Sequence, residues 1–181
     1  MAETTLSRRR FLWSMAAAVP AVALSPVGAL AAATEPRELQ FFHTHTAERL
    51  RVEYYDGAGY LPDALATVNQ FLRDFRTGDV HAIDPGLLDL LYRLAGSTGT
   101  SKSFEVISGY RSPATNAMLR QHSEGVASGS LHMQGMAIDI RLADVPLAKL
   151  RKAALAAGRG GVGYYPASQF VHVDTGRVRF W

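Results

Sequence analysis

Apolar and polar positions alternate through RELQFFHTHTAERLRVEYYD (37–56), a stretch rich in aromatic and β-branched residues. The alternation predicts two short strands joined around 44–48. The period then lengthens: Leu61, Leu65, Val68, Leu72 and Phe75 recur at helical spacing and predict a helix over 61–76. Asp84-Pro85 is a cap followed by a first-turn proline, opening a second helix through Leu87, Leu91 and Leu94 to a stop at Gly96. SFEVISGY (103–110) reads as a strand, and Ser112-Pro113 caps a helix to about His122. A Gly/Ser loop (123–131) leads to a strand at 136–142, a helix at 144–157 and a glycine-rich turn at 158–163. Strands at 162–165 and 170–173 and a short end, RVRFW, close the chain. Helices come early and strands late, so the expected class is α+β, with a small antiparallel sheet flanked by helices.

The first thirty-one residues stand outside that pattern. Ser7-Arg8-Arg9-Arg10-Phe11-Leu12 is a twin-arginine motif, followed by an apolar stretch to Leu30 that contains Pro20 and Pro26. Ala29-Leu30-Ala31 offers a small-residue cleavage site. A membrane anchor is the alternative, but the alanine richness and the two prolines suit removal better than a permanent span. Residues 1–31 are therefore expected to be an export signal, and 32–181 a single domain of the periplasm or cell envelope. Removing the signal lowers the formal net charge of +3 by two. No basic run suggests a nucleic-acid partner, and a monomer is expected.

Composition narrows the chemistry. Apolar residues make up 48% of the 181, enough for a packed core, and there is no cysteine. A disulfide framework, a thiolate zinc site and a cysteine nucleophile are all excluded. Any transition metal would have to bind histidine and carboxylate. On the strand at 136–142, period-two alternation turns Ile138, Ile140 and Leu142 to the core, and Ala137, Asp139 and Arg141 the other way. On the last long strand Phe170, His172 and Asp174 share one face. If the two strands are neighbours, Asp139 and His172 converge, and His132, just before the Gly135 turn, can reach the same spot. Two imidazoles and a carboxylate form a ligand set that leaves a fourth position open for water. The alternative is a solvated Asp139 paired with Arg141 or Arg111.

Ser130-Leu131-His132-x2-Gly135-x-Ala137-x-Asp139, followed by Phe170-Val171-His172-Val173-Asp174, resembles the zinc D-Ala-D-Ala and murein metallopeptidases related to the hedgehog fold. SGYRSPATNAMLR (108–120) and GVGYYPASQFVHVDTGRVRFW (161–181) look like the exported murein endopeptidases of that clan, and the likeness covers nearly all of 37–181. The resemblance implies a hydrolase that uses Zn2+ to cleave peptide cross-links between peptidoglycan stems, with the bond between diaminopimelate residues a candidate. Trimming of a terminal D-alanine and a non-catalytic murein-binding module are the alternatives. It implies His132, Asp139 and His172 as metal ligands, Arg111 near the substrate carbonyl, and Ser130 as support behind the ligands. Carboxypeptidases of the clan carry an acid three positions before the last histidine; here that position is Gln169. Asp174 is the catalytic candidate left on the His172 face, as base or as partner of an imidazole N–H, and His122 is another proton carrier to consider. His43 and His45 read as structural, Tyr164 and Tyr165 as cleft-lining or packing residues, and Trp181 as a C-terminal packing anchor.

Overall fold

Alternation in β1 (Arg37–His43) buries Leu39, Phe41 and His43 and leaves Glu38 and Gln40 exposed. It pairs antiparallel with β2 (Arg49–Tyr55), as the 37–56 pattern predicts. The computed structural model describes residues 35–122 and 126–181, so the signal segment and 123–125 lie outside the described residues. The remaining elements, in chain order, are α1 (Pro62–Phe71), α2 (Pro85–Thr98), β3 (Phe104–Ser108), α3 (Pro113–His122), a 3-10 turn (Leu131–Gln134), β4 (Ala137–Leu142), α4 (Leu147–Ala156), β5 (Gly161–Tyr165), β6 (Phe170–Asp174) and β7 (Arg179–Phe180).

Among the described residues, seven strands join one sheet in the order β2-β1-β3-β4-β6-β5-β7. The α+β class and the flanking helices agree with the sequence reading. The middle of the sheet, β3-β4-β6-β5, is antiparallel as expected. The sheet as a whole is mixed, because β1 runs parallel to β3 and β5 parallel to β7. The first parallel pair needs a crossover, and α1 and α2 supply it. α2 and α4 pack on the sheet and on each other. Leu87, Leu88, Leu90, Leu91 and Leu94 of α2 are fully buried, in one core with Ile138, Ile140, Val171 and Val173. Asp89 ties α2 to the first hairpin by accepting hydrogen bonds from Arg37 (2.7 Å) and Tyr54 (3.0 Å).

Element ends differ from the pattern where tertiary hydrogen bonds compete with propensity. α1 stops at Phe71, because the Leu72 carbonyl accepts from Tyr110 N (2.8 Å) and the Asp74 side chain accepts from Arg76 N (2.9 Å) and Ser112 N (2.8 Å). Phe75, on the predicted helical stripe, stacks on His45 instead. α4 begins at Leu147 rather than 144, since Pro146 disfavours a helical conformation at Val145. α2 continues past Gly96 to Thr98. It ends at Gly99, whose left-handed φ of 70° lets its N–H bond the Ala95 carbonyl.

Gly96 therefore sits inside an exposed helical turn, where an added Cβ meets nothing within 4 Å. Gly96→Ala should raise the unfolding free energy by about 0.5–1 kcal/mol, through lost freedom of the unfolded chain. In urea unfolding the midpoint should rise with the slope unchanged.

Candidate metal centre

The register of β4 and β6 sets Asp139 directly opposite His172, both on the face turned away from Ile138, Ile140, Val171 and Val173. His132 comes from the 3-10 turn, which Gly135 closes with φ 67° and an N–H to the His132 and Leu131 carbonyls. No other residue fits at Gly135: a Cβ would lie 2.0 Å from the Ala82 carbonyl oxygen, and the Gly135 carbonyl accepts from Asp84 N (3.0 Å). The turn thus pins His132 beneath the sheet.

Three donor atoms meet in a triangle. His132 Nε2 lies 3.1 Å from His172 Nδ1, His172 Nδ1 lies 2.9 Å from Asp139 Oδ1, and His132 Nε2 lies 3.3 Å from Asp139 Oδ1. All three residues are buried. A tetrahedral ion with bonds of about 2.0–2.1 Å holds its ligand atoms roughly 3.3 Å apart, so the triangle is of metal-binding size. The remaining imidazole nitrogens are also committed. His132 Nδ1 donates to the Gly109 carbonyl (2.7 Å) and His172 Nε2 donates to Asp174 (3.1 Å). Such outer bonds fix ring tautomer and orientation at metal sites. The donor set, its spacing and its outer bonds all fit a divalent transition metal.

Asp174 lies behind the His172 ring, not at the triangle. It is fully buried. Oδ1 accepts from Gly161 N (2.8 Å), Gly176 N (2.8 Å) and Arg179 (3.1 Å), and Oδ2 from Arg179 (2.7 Å) and His172. Burial would raise its pKa, but these donors hold it well below the usual carboxylate range. Burial likewise opposes ionisation of Asp139, and His132 and His172 overcome it, leaving that carboxyl strongly acidic.

Arg111 follows Tyr110 in the loop that Leu72 and Asp74 hold, and its own N–H bonds the His132 carbonyl (3.2 Å). Its guanidinium is 3.8 Å from Asp139 Oδ2 and 3.5 Å from Asn116 Oδ1. Among the described residues its buried Nε finds no acceptor. Burial lowers its pKa, with Asp139 acting against that. Arg141, the other partner considered for Asp139, bonds Glu105 across β3 at 2.6 Å. Ser130 precedes the 3-10 turn and accepts from Met133 N (3.0 Å) through its carbonyl, while its side chain makes no capping bond.

Other candidates lie elsewhere. Gln169 is exposed, at φ 57°, with its amide on the Pro166 carbonyl. His122 is exposed and donates to its own helix at Met118 O. His43 packs edge-on to Phe71 and Phe75 with Nδ1 facing the His45 and Thr46 amides, and burial pushes its pKa down to about 4. It is a neutral structural histidine. Sequence reasoning missed Asp74, which holds the Arg111 loop, and Arg179, which clamps Asp174. The Asp174-x4-Arg179 spacing carries no signal until β7 folds back beside β5.

Residues 31–181 match the model of the family described as Peptidoglycan L,D-endopeptidase MepK. The Peptidoglycan L,D-endopeptidase MepK of Escherichia coli (strain K12) is 45% identical over 177 residues, 97% of each chain, and the protein of that name from Shigella flexneri matches equally. The Probable peptidoglycan L,D-endopeptidase MepK of Haemophilus influenzae is 46% identical over 154 residues, 84% of this chain and 83% of its own.

Without a metal, His172 sits between two carboxylates. Burial would lower its pKa, but hydrogen bonds to Asp139 and Asp174 raise it to about 9. A metal must displace that proton, so apparent affinity should weaken about tenfold for each pH unit below 9 and level off above it. Competition with a chromophoric chelator between pH 6.5 and 9.5 measures the slope; a flat profile would mean that His172 binds no metal.

Proposed function

The chain belongs to the peptidoglycan L,D-endopeptidase MepK family, and on that premise we propose that it is a zinc-dependent hydrolase of murein cross-links, cutting between diaminopimelate residues of adjoining stems. The observation that carries this reading is the buried His132–Asp139–His172 triangle beside the under-bonded guanidinium of Arg111. Three protein donors leave a position free, the arrangement of catalytic rather than structural sites. Zinc held there would supply a Lewis acid at the scissile carbonyl and lower the pKa of water.

The residues divide the remaining work. Gly109 and Asp174 fix the two imidazoles, so the donor atoms are in place before substrate arrives. Arg111 faces Asp139 at 3.8 Å, too long for a tight pair, and with only Asn116 bonded among the described residues, at 3.5 Å, the guanidinium retains N–H groups to meet negative charge growing on the carbonyl oxygen. Asp174 acts as a positioning residue for His172, because hydrogen-bond donors already occupy both of its oxygens. Gln169, an amide turned onto Pro166, cannot take a proton where the clan's carboxypeptidases place an acid. That favours internal bond cleavage over removal of a terminal D-alanine. A complete ligand set with both outer bonds intact favours the enzyme over a binding module.

The site of action is the periplasmic side of the envelope, reached by twin-arginine export with removal of residues 1–31. No helix of the described residues is long and apolar enough to cross a membrane.

Mass spectrometry of purified diaminopimelate-linked muropeptide dimers should show conversion to monomers with zinc and none with chelator. Loss of a single alanine instead would identify a carboxypeptidase. Arg111→Ala should lower kcat/KM by about 100-fold or more, the scale of a lost oxyanion donor, with zinc content unchanged. A loss below about threefold would remove Arg111 from the mechanism.

A further inference from the structure

The end of the chain is built into the site. β7 lies parallel to β5, and Trp181 continues the pairing: its N–H bonds the Val162 carbonyl (3.2 Å) and its carbonyl accepts from Tyr164 N (3.1 Å). Alternation along this edge sends Val178 and Phe180 to one face and Arg179 and Trp181 to the other. On the second face Arg179 grips Asp174, and the Trp181 indole lies 5.3 Å from the His172 ring. The indole N–H donates to the Tyr165 hydroxyl (2.7 Å), and the Arg179 guanidinium sits 5.1 Å over the indole. Both rings cover Gly163, which faces His172 in the register; a Cβ there would lie 2.8 Å from each ring. Tyr165 in turn stacks on Phe170.

Trp181 is held by bonds at its backbone, its ring nitrogen and its π face, yet 47% of its surface stays exposed, beside a metal ligand. A rigid aromatic surface whose polar atom is already satisfied offers contact area at little further entropy cost. We propose that Trp181, steadied by Tyr165, is a substrate-contacting specificity residue whose exposed part receives the hydrocarbon part of the stem residue beside the scissile bond. The inference rests on the murein-hydrolase reading above.

The chain has two tryptophans, Trp13 and Trp181, so the full chain carrying Trp13→Phe reports on Trp181 alone. Titrating the zinc-loaded protein with a disaccharide–tetrapeptide monomer, which it does not turn over, should shift the Trp181 emission saturably. In cleavage of linked dimers, Trp181→Ala should raise KM about tenfold with kcat changed less than threefold and zinc content kept, and Trp181→Phe should recover most of the loss. An unchanged KM with lower kcat or lower zinc content would make Trp181 a support for His172 and overturn the inference, as would an enzyme that cleaves dimers with no emission change on binding. A zinc-loaded parent that neither cleaves nor binds murein peptides would overturn the functional reading itself, and this inference with it.

Discussion

The pairing of Asp139 with His172 across β4 and β6 is the constraint on which the rest depends. Strand side chains alternate, so a slip of one residue would carry Ile138 or Ile140 into the site and Asp139 into the apolar core. Ile138, Ile140, Val171 and Val173, all fully buried, lock the register from the opposite face. The same hydrophobic contacts that hold the middle of the sheet thereby hold the metal-binding geometry. A carboxylate removed from water is costly unless its charge is met. Here His172, His132 and Arg111 surround Asp139, and His172 is itself backed by Asp174 and Arg179.

The donors of the triangle are reached through supports in other parts of the chain. The His132 ring bonds Gly109, at the start of the loop that also carries Arg111; Tyr110 and Ser112 of that loop are fastened by Leu72 and Asp74. Asp74 accepts enough hydrogen bonds, from Thr115, Ser112 and Arg76, to overcome the burial that would raise its pKa and to lower it to about 2. β7 closes the other side through Arg179 and Trp181. The turn that follows α1 therefore holds the Arg111 loop.

What was legible in the sequence was whatever local period and motif spacing encode. Alternation placed Asp139 and His172 on one face, and the cap-proline pair at Asp84-Pro85 marked the start of α2 correctly. The end of α1 was less legible, because the hydrogen bonds of Leu72 and Asp74 come from residues far along the chain, whereas the start of α4 was marked by Pro146 in the sequence itself. Trp181 is the clearest case. RVRFW holds too few residues to show a period, and its place beside His172 follows from a parallel pairing with β5 that only the folded sheet creates.

The buried charges also bear on how the site works. Asp139 and Asp174 carry two negative charges, and Arg111 and Arg179 two positive ones, within a chain of contacts that runs through His172. The pairings are unequal. Arg179 grips Asp174 at 2.7 Å, whereas Arg111 stands 3.8 Å from Asp139. The tight pair is structural and the loose one is available. A dication added at the triangle leaves this group with excess positive charge, which favours ligands that gain negative charge as they react. A hydrolytic transition state is of that kind, because charge builds on the former carbonyl oxygen. The unequal pairing thus separates a cation bound tightly to its carboxylate from one that stands off its own, as the proposed role of Arg111 requires.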